Sequence, residues 1–325
     1  MPHAHIQLDQ PSATLAAPGF ASAARRAFFA TRPPFLIASV LPVLIGTLWA
    51  SAAYHRFDAL LFGLALAATL FVHAATNVYN DVSDDLIGAD AGNTDRIYPY
   101  TGGSRFIQTG LLSRREMSLL ALGLCVAALL VGAALAFLRG PGVMLLGLGG
   151  LSLGLLYSLP GAQLSARGIG ELAVAIGLGI LPVLGAAWLQ TGFVDVGTLL
   201  LCVPVSCWVA GILIINEVPD VEADRAADKR TLVVRWGESG ARLIYRGLTI
   251  TALIATIVII VNHVLPAWYG LPALALAGAG MSVAQRISTR RDARSQLKRG
   301  IEWTLAIQAI GCITICIALL LKRFL

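Results

Sequence analysis

Asn77-Val-Tyr-Asn-Asp-Val-Ser-Asp-Asp-Leu-Ile-Gly-Ala-Asp90 and the later stretch Asn216-Glu-Val-Pro-Asp-Val-Glu-Ala-Asp224 decide the interpretation of this chain. Each stretch follows a run of about twenty apolar residues, a length that crosses a bilayer as a helix. Residues 81–95 hold five acidic residues and residues 217–228 hold five more, so two short segments contain ten of the chain's eighteen acids. Adjacent carboxylates repel one another unless a cation or protons intervene. A bound divalent metal is the simplest explanation for this crowding.

The composition predicts an all-α, polytopic membrane protein. The chain has 325 residues, of which 57% are apolar and 13% are charged, and its mean hydropathy is +0.77. Apolar runs centred near residues 43, 69, 127, 150, 179, 206, 254, 275 and 312 predict nine transmembrane helices in one bundle. We expect residues 1–19 to be a disordered tail and residues 20–325 to form one transmembrane domain. Residues 20–32 mix arginines with phenylalanines, which favours a short helix in the inner membrane interface.

The distribution of Lys and Arg predicts the orientation. With the amino terminus inside, 20 of the 24 basic residues lie on the inner side and four lie outside: Arg56, Arg139, Lys322 and Arg323. The positive-inside rule therefore predicts cytoplasmic acidic stretches and an outside carboxyl terminus, in what we expect to be a bacterial cytoplasmic (inner) membrane. The net charge of +6 indicates this topology and affinity for anionic membrane lipid. We predict no nucleic-acid partner and no protein partner.

Side chains in the two stretches recur at intervals of four residues, which would place them on one helix face: Asn80 and Asp84, then Asn216, Asp220 and Asp224. Asp81 and Asp85 lie about 100° further round the first helix. Mg²⁺ prefers oxygen ligands and usually binds phosphates as well as protein carboxylates. Two facing carboxylate sets with basic residues nearby would suit a diphosphate bridged by two metal ions.

The segment 88–113 is unusually long for a connector, and we expect it to form a lid over the acids rather than a solvated linker. Two other residues remain open at this point. His73, one turn before Asn77, is either a hydrogen-bonded core histidine or a ligand contact. Glu171 either complements a helix dipole or belongs to the site.

A diphosphate bound at the edge of an apolar bundle suggests that the substrate has an apolar tail. The residues alone therefore indicate metal–diphosphate chemistry on a lipid. A cation-coupled transporter is the alternative from another class, although transporter sites usually lie near the bilayer midplane. Here the acids lie at the inner ends of predicted helices.

The chain resembles the UbiA superfamily of intramembrane prenyltransferases from about residue 32 to the end. The first stretch departs from the pattern NxxxDxxxD at Gly88 and has Asp90 instead, a form similar to the menaquinone branch of that family. The second stretch, the segment Lys229-Arg-Thr-Leu-Val-Val-Arg-Trp-Gly237, Tyr157 and Gly168-Ile-Gly-Glu171 also match this branch. The resemblance implies nine transmembrane helices and bound Mg²⁺. It also implies transfer of a polyprenyl group from its diphosphate to an aromatic acceptor, with 1,4-dihydroxy-2-naphthoate favoured and diphosphate and CO₂ released. Sister acceptors are 4-hydroxybenzoate, homogentisate, a glycerol phosphate lipid or haem.

The resemblance also suggests roles for individual residues. The expected metal ligands are Asn80, Asp84, Asp90, Asn216, Asp220 and Asp224. The expected catalytic residues are Asp84 and Asp220, with Asp81 or Asp85 in a supporting role or as acceptor of a naphthol proton. The expected substrate-binding residues are Asn77, Arg96, Arg105, Tyr157, Arg167, Lys229 and Arg230. Ser165 stands where relatives often carry a lysine thought to contact diphosphate, so Arg167 or Lys229 is expected to supply that charge.

Overall fold

Polar caps mark the ends of the apolar runs, which form helices in this computed structural model. The structure describes Leu15 and residues 19–324. Asp58 and Asp195 each accept a backbone N–H at the start of a membrane helix, and Ser113 forms a capping box with Glu116. Twelve helices follow along the described chain: α1 (Phe20–Ala30), α2 (Pro33–Tyr54), α3 (Ala59–Leu86), α4 (Ala89–Gly92), α5 (Arg114–Arg139), α6 (Gly142–Ser158), α7 (Gly170–Thr191), α8 (Val196–Glu217), α9 (Val221–Ala226), α10 (Leu232–Val261), α11 (Gly270–Arg286) and α12 (Arg294–Phe324).

The helices form the membrane bundle that the composition predicts, so the all-α prediction is confirmed and the protein is an integral membrane protein. Within the described residues, eight helices are long and apolar enough to cross a membrane. The ninth predicted span is α6, which is apolar but only 17 residues long. Helices α2 and α8 are the most enclosed of the long helices. Their side chains Ile45, Leu201 and Val205 pack with Ile315 of α12 in the centre of the bundle.

The second acidic stretch is not one continuous helix, and this part of the spacing prediction is wrong. Helix α8 ends at Glu217, and α9 begins at Val221 after a turn. Pro219 lies in that turn, and because proline has no backbone N–H it cannot continue the helical hydrogen bonds. Asn80 and Asp84, by contrast, do lie on the single helix α3.

Helix α7 contains a widened, π-helical turn at Ala175–Ile180. Helix α8 supports this turn, because the hydroxyl of Ser206 donates to the carbonyl of Ala175 at 3.1 Å. Gly179 permits the close approach, since a Cβ atom there would lie 2.3 Å from Ser206 Oγ. Single π turns of this kind occur frequently at functional sites.

The amino-terminal segment gives a mixed outcome. The predicted disordered tail, residues 1–19, lies outside the described residues apart from Leu15 and Gly19. The short helix expected over residues 20–32 is present as α1. Its placement in the inner membrane interface and the orientation of the bundle remain predictions.

Candidate active site

The two acidic stretches face each other across one cavity of about 240 Å³. Helices α3 and α4 contribute one wall, and the α8–α9 turn contributes the opposite wall. Nine of the residues predicted for the site line this cavity: Asn77, Asn80, Asp84, Asp90, Tyr157, Asn216, Asp220, Asp224 and Lys229. The structure therefore brings together both sets of predicted metal ligands, which are more than a hundred residues apart in the sequence.

Lys229 links the two walls electrostatically. Its ammonium nitrogen lies 3.2 Å from Asp84 Oδ1 and 3.3 Å from Asp224 Oδ1. Burial acts to lower the pKa of Lys229, but the attraction of these two carboxylates outweighs burial and raises it. A buried positive charge therefore lies between the two acidic walls.

The loop that follows α4 covers the end of the cavity where the acidic residues lie, as the lid interpretation predicts. Asn93 Nδ2 donates to Asp220 Oδ1 at 2.8 Å, and the backbone N–H of Gly102 donates to Asp220 Oδ2 at 3.2 Å. Gly103 has φ 71°, and a Cβ atom there would lie 2.7 Å from Asp90 Oδ2. A glycine is thus required for the loop to approach the carboxylates this closely.

Arg32 is a cavity residue that the sequence interpretation assigned only to topology. It precedes α2 with left-handed backbone angles, φ 56° and ψ 62°. Its guanidinium forms an ion pair with Asp81, which also accepts the backbone N–H of Ser104 at 3.0 Å. Asp81 is thus buried behind the cavity wall. The one signal in the sequence was the position of Arg32 at the amino-terminal end of the first membrane helix.

Five other predicted residues do not line the cavity. Asp85 accepts from Gln108 at 3.1 Å and forms an ion pair with Arg114 at 2.6 Å, which joins α3 to the start of α5. The other four are arginines that have their own partners in the protein. The guanidinium of Arg96 lies 5.6 Å from the centre of the Tyr98 ring, Arg105 donates to the carbonyl of Asp90, Arg167 donates to the carbonyl of Gly161, and Arg230 pairs with Asp228 at 3.3 Å.

Glu217 and Glu171 are buried carboxyl groups beside the cavity, and the sequence analysis did not assign Glu217 to the site. Glu217 lines the cavity, and the two residues are only 7% and 6% exposed. Within the described residues, Oε2 of each has no hydrogen-bond partner, whereas Oε1 of Glu171 accepts the N–H of Leu232 at 3.3 Å. Glu171 therefore belongs to the surroundings of the site.

Burial and crowding change the acidity of the carboxyl groups outside the membrane helices. Burial, reinforced by the charges of Asp81 and Asp84, raises the pKa of Asp90 to about 8. Burial also raises the pKa of Asp224 to about 6, against the attraction of Lys229. The pKa of Asp220 is raised by burial as well, although its hydrogen bonds oppose this. A second cation would favour the ionised form of all three groups.

Unpartnered oxygen atoms show that the site fits a hard metal cation. Among the described residues, Asp90 Oδ2, Asn93 Oδ1 and Asn216 Oδ1 are buried without hydrogen-bond partners. Within Leu15 and residues 19–324, no three carboxylate, imidazole or thiol groups are close enough to enclose a metal ion by themselves. This arrangement suits Mg²⁺, which usually takes one or two carboxylates and completes its coordination with water and substrate phosphates.

A second, apolar chamber of about 170 Å³ adjoins the charged cavity. It is lined by α3, α5, α6 and α7, and glycines form several of its walls. Five residues line both spaces and define what we call the junction: Val72, His73, Gly150, Gly177 and Leu178. The two spaces together could hold a molecule with a charged head and a hydrocarbon tail.

Comparison with protein families identifies the fold. The model of the UbiA prenyltransferase family matches residues 39–306. This chain belongs to the UbiA prenyltransferase family. The match includes both acidic stretches, the lid loop and the junction.

Curated UbiA relatives include bacterial enzymes of one type. The chain is 33% identical over 232 residues to the 1,4-dihydroxy-2-naphthoate octaprenyltransferase of Mycobacterium tuberculosis, covering 70% of this chain and 75% of that protein. It is 30% identical over 211 residues to the protein of the same name from Bacillus subtilis, covering 65% of this chain and 66% of that protein.

Solved structures of UbiA homologues share the fold. An apo UbiA homologue from Aeropyrum pernix aligns with a TM-score of 0.67 at 21% identity, over 89% of this chain and 98% of the other. A homologue from Archaeoglobus fulgidus bound to DMAPP and Mg²⁺ aligns with a TM-score of 0.65 at 16% identity, over 89% of this chain and 99% of the other.

Proposed function

We propose that this protein transfers a polyprenyl group from polyprenyl diphosphate to 1,4-dihydroxy-2-naphthoate, with Mg²⁺ as cofactor and with release of diphosphate and CO₂, to give demethylmenaquinol, the reduced form of demethylmenaquinone. The observation that carries the proposal is the pair of facing acidic walls, bridged by Lys229 and continued by an apolar chamber. The names of the mycobacterial and Bacillus relatives support this acceptor. The Mg²⁺ in the Archaeoglobus structure supports the cofactor.

Six side chains would hold the metal: Asn80, Asp84, Asp90, Asn216, Asp220 and Asp224. When bound, Mg²⁺ would neutralise the negative charge of the diphosphate and make it a better leaving group. Lys229 and Arg32 line the same cavity and can donate charge-assisted hydrogen bonds to phosphate oxygens. Their positive charges favour the diphosphate as it departs with the electron pair of the C–O bond.

The apolar chamber provides the second half of the mechanism. The hydrocarbon tail would lie against α5, α6 and α7, which exclude water from the allylic carbon. Exclusion of water protects the developing carbocation from hydrolysis, so an aromatic carbon of the acceptor can attack it. The lid loop closes the polar end of the cavity with Asn93 and Gly102 on Asp220.

The deciding experiment is an acceptor panel assayed with purified protein, prenyl diphosphate and either Mg²⁺ or a chelator. We expect a prenylated product with 1,4-dihydroxy-2-naphthoate, and none after chelation. A product only with 4-hydroxybenzoate, homogentisate, a glycerol phosphate lipid or haem would replace the proposed acceptor. Mg²⁺-independent solute uptake into proteoliposomes without prenyl transfer would instead favour a transporter.

Asp84→Ala and Asp220→Ala test the site itself. Each removes a carboxylate from one acidic wall, so we expect turnover to disappear while the folded protein still reaches the membrane. Full activity in either variant would contradict the assignment of the metal site to these walls.

A further inference from the structure

His73 is a buried polar side chain to which the mechanism above gives no role. It lies on α3, one turn before Asn77, and only 6% of its surface is exposed. Its Nδ1 lies 2.6 Å from the hydroxyl oxygen of Ser39 on α2, which fixes the orientation of the ring. Within the described residues, this is the hydrogen bond that the ring makes, and Nε2 has no protein partner.

The ring lies at the junction between the charged cavity and the apolar chamber. If the proposed function holds, the diphosphate lies on one side of the junction and the hydrocarbon tail on the other. The allylic carbon, where the C–O bond to diphosphate breaks and the C–C bond to the acceptor forms, then lies at the junction itself. The aromatic acceptor must reach that carbon, and His73 is one of the five residues that line this space.

Neighbouring polar groups on the same stretch of α3 already have protein partners. The hydroxyl of Thr76 donates to the carbonyl of Val72 at 2.9 Å, and Asn77 Nδ2 donates to the carbonyl of Thr31 at 3.0 Å. The Nε2 atom of His73 is therefore available to a ligand in a wall that is otherwise apolar at the junction. An imidazole nitrogen can accept a hydrogen bond from a hydroxyl group or donate one to it, depending on the tautomer.

We propose that Nε2 of His73 forms a hydrogen bond with a hydroxyl group of the aromatic acceptor and so orients the acceptor ring against the allylic carbon. Ser39 then acts as a positioning residue, because its hydroxyl holds the opposite ring nitrogen. The proposal rests on the proposed function and adds an acceptor-binding residue to it. A purely structural role, joining α2 to α3 through Ser39, is the competing explanation.

The test compares wild type with His73→Ala and with His73→Phe, which keeps a flat ring but has no nitrogen. Each purified protein is assayed with Mg²⁺, prenyl diphosphate and the hydroxylated acceptor that the wild type uses. An analogue of that acceptor lacking one hydroxyl group is then tested as a competitive inhibitor. Ser39→Ala is assayed in the same way, with Thr47→Ala as its matched control, because Thr47 is buried on α2 like Ser39 but lines neither space. The Tm of each variant monitors folding.

We expect KM for the acceptor to rise about tenfold in both His73 variants, the effect of one lost hydrogen bond in a buried site. KM for prenyl diphosphate should stay unchanged. The analogue that lacks the contacted hydroxyl should bind the variants as well as it binds wild type, and Thr47→Ala should behave as wild type. Ser39→Ala should raise the acceptor KM by a smaller factor.

An equal rise in KM for the acceptor and for prenyl diphosphate would overturn the proposal in favour of a structural role. The proposal would also be overturned if the variants still bound the hydroxylated acceptor more tightly than every analogue, by the same factor as wild type. If His73→Ala does not fold, the test uses His73→Phe alone, and the measured quantity is its affinity for the acceptor divided by its affinity for the analogue. A wild-type protein that prenylates no hydroxylated aromatic compound would overturn the proposed function, and this proposal with it. If wild type prenylates the acceptor but the His73 variants have the same acceptor KM as wild type, this proposal fails and the proposed function stands.

Discussion

Replacing Lys229 by methionine changes the charge balance of the site with little change in side-chain length. Lys229, Asp84 and Asp224 are all largely buried, with side-chain exposures of 11%, 13% and 8%. Methionine keeps the apolar stem and removes the ammonium group. The two carboxylates then face each other without a counter-charge, so the metal-free protein should be less stable.

Removing one partner of a buried ion pair costs about 3–5 kcal/mol, because the remaining charge stays buried and unpaired. At about 2 °C per kcal/mol for a chain of this size, the loss corresponds to a fall in Tm of roughly 6–10 °C. Mg²⁺ should reverse much of this fall, since the cation would enter a site from which a competing charge has been removed. The Mg²⁺-induced rise in Tm should therefore be larger in Lys229→Met than in wild type.

Lys229→Met should lower the catalytic activity, although it should strengthen the response to Mg²⁺. A hydrogen bond to a charged group contributes about 1.5–3 kcal/mol, so loss of the Lys229 contact with diphosphate should lower kcat/KM for the prenyl diphosphate roughly 10- to 150-fold. The assays are thermal unfolding in detergent with chelator or with Mg²⁺, and steady-state kinetics at saturating Mg²⁺.

Arg225→Met provides the matched control. Arg225 lies on the adjacent helix α9 and forms an ion pair with Glu222 at 2.8 Å, but both side chains are more than half exposed. We expect a change in stability below about 1 kcal/mol and unchanged kinetics. An unaltered Tm and an unaltered response to Mg²⁺ in Lys229→Met would refute the view that this lysine bridges the acidic walls.

Three further predictions follow from separate contacts. Gly147→Leu, on the wall of the apolar chamber away from the junction, should lower kcat/KM for long prenyl diphosphates by about tenfold while sparing dimethylallyl diphosphate, because the added side chain would occupy space that a long tail needs and such overfilling costs about 1–3 kcal/mol; competition between the two donors measures this. Burial raises the pKa of Asp90 to about 8 in the absence of metal, so below that pH Mg²⁺ must displace a proton from this carboxyl group. Mg²⁺ titrations should therefore show an apparent affinity that rises with pH and levels off above about 8. Asp85→Asn removes the charge that pairs with Arg114, whose side chain is 52% exposed, so Tm should fall slightly and turnover should persist in the membrane assay.

The sequence was sufficient to predict the bundle and most of the charged residues that line the cavity. Apolar runs and charge asymmetry are local properties of the chain, and the Asn80–Asp84 spacing has meaning within a single helix. The same spacing misled at Asn216, Asp220 and Asp224, because Pro219 ends the helix between them. The prediction that the two stretches face each other came from their expected position at helix ends on the same side of the membrane.

Other features depend on contacts between distant parts of the chain. Arg32 enters the site through an ion pair with Asp81, 49 positions later, and no local pattern distinguishes it from the other arginines near the first helix. Glu217 was one of ten crowded acids in the sequence, and only the structure places it on the cavity wall. The apolar chamber arises from gaps between four helices, and hydropathy does not record such gaps.

The widened turn in α7 has a consequence for the register of that helix. Glu171 lies before the turn, and Val183, which packs in the core, lies after it. Converting Ala175–Ile180 to ordinary α-helix without removing a residue would rotate the first segment relative to the second, because each residue turns an α-helix by about 100° and a π-helical turn by less. Glu171 would then turn away from the backbone N–H of Leu232, whose hydrogen bond it accepts. Removing one residue together with that conversion would leave the two segments in nearly the same register, so the widened turn accommodates one added residue without changing the side chain that this end of the helix presents.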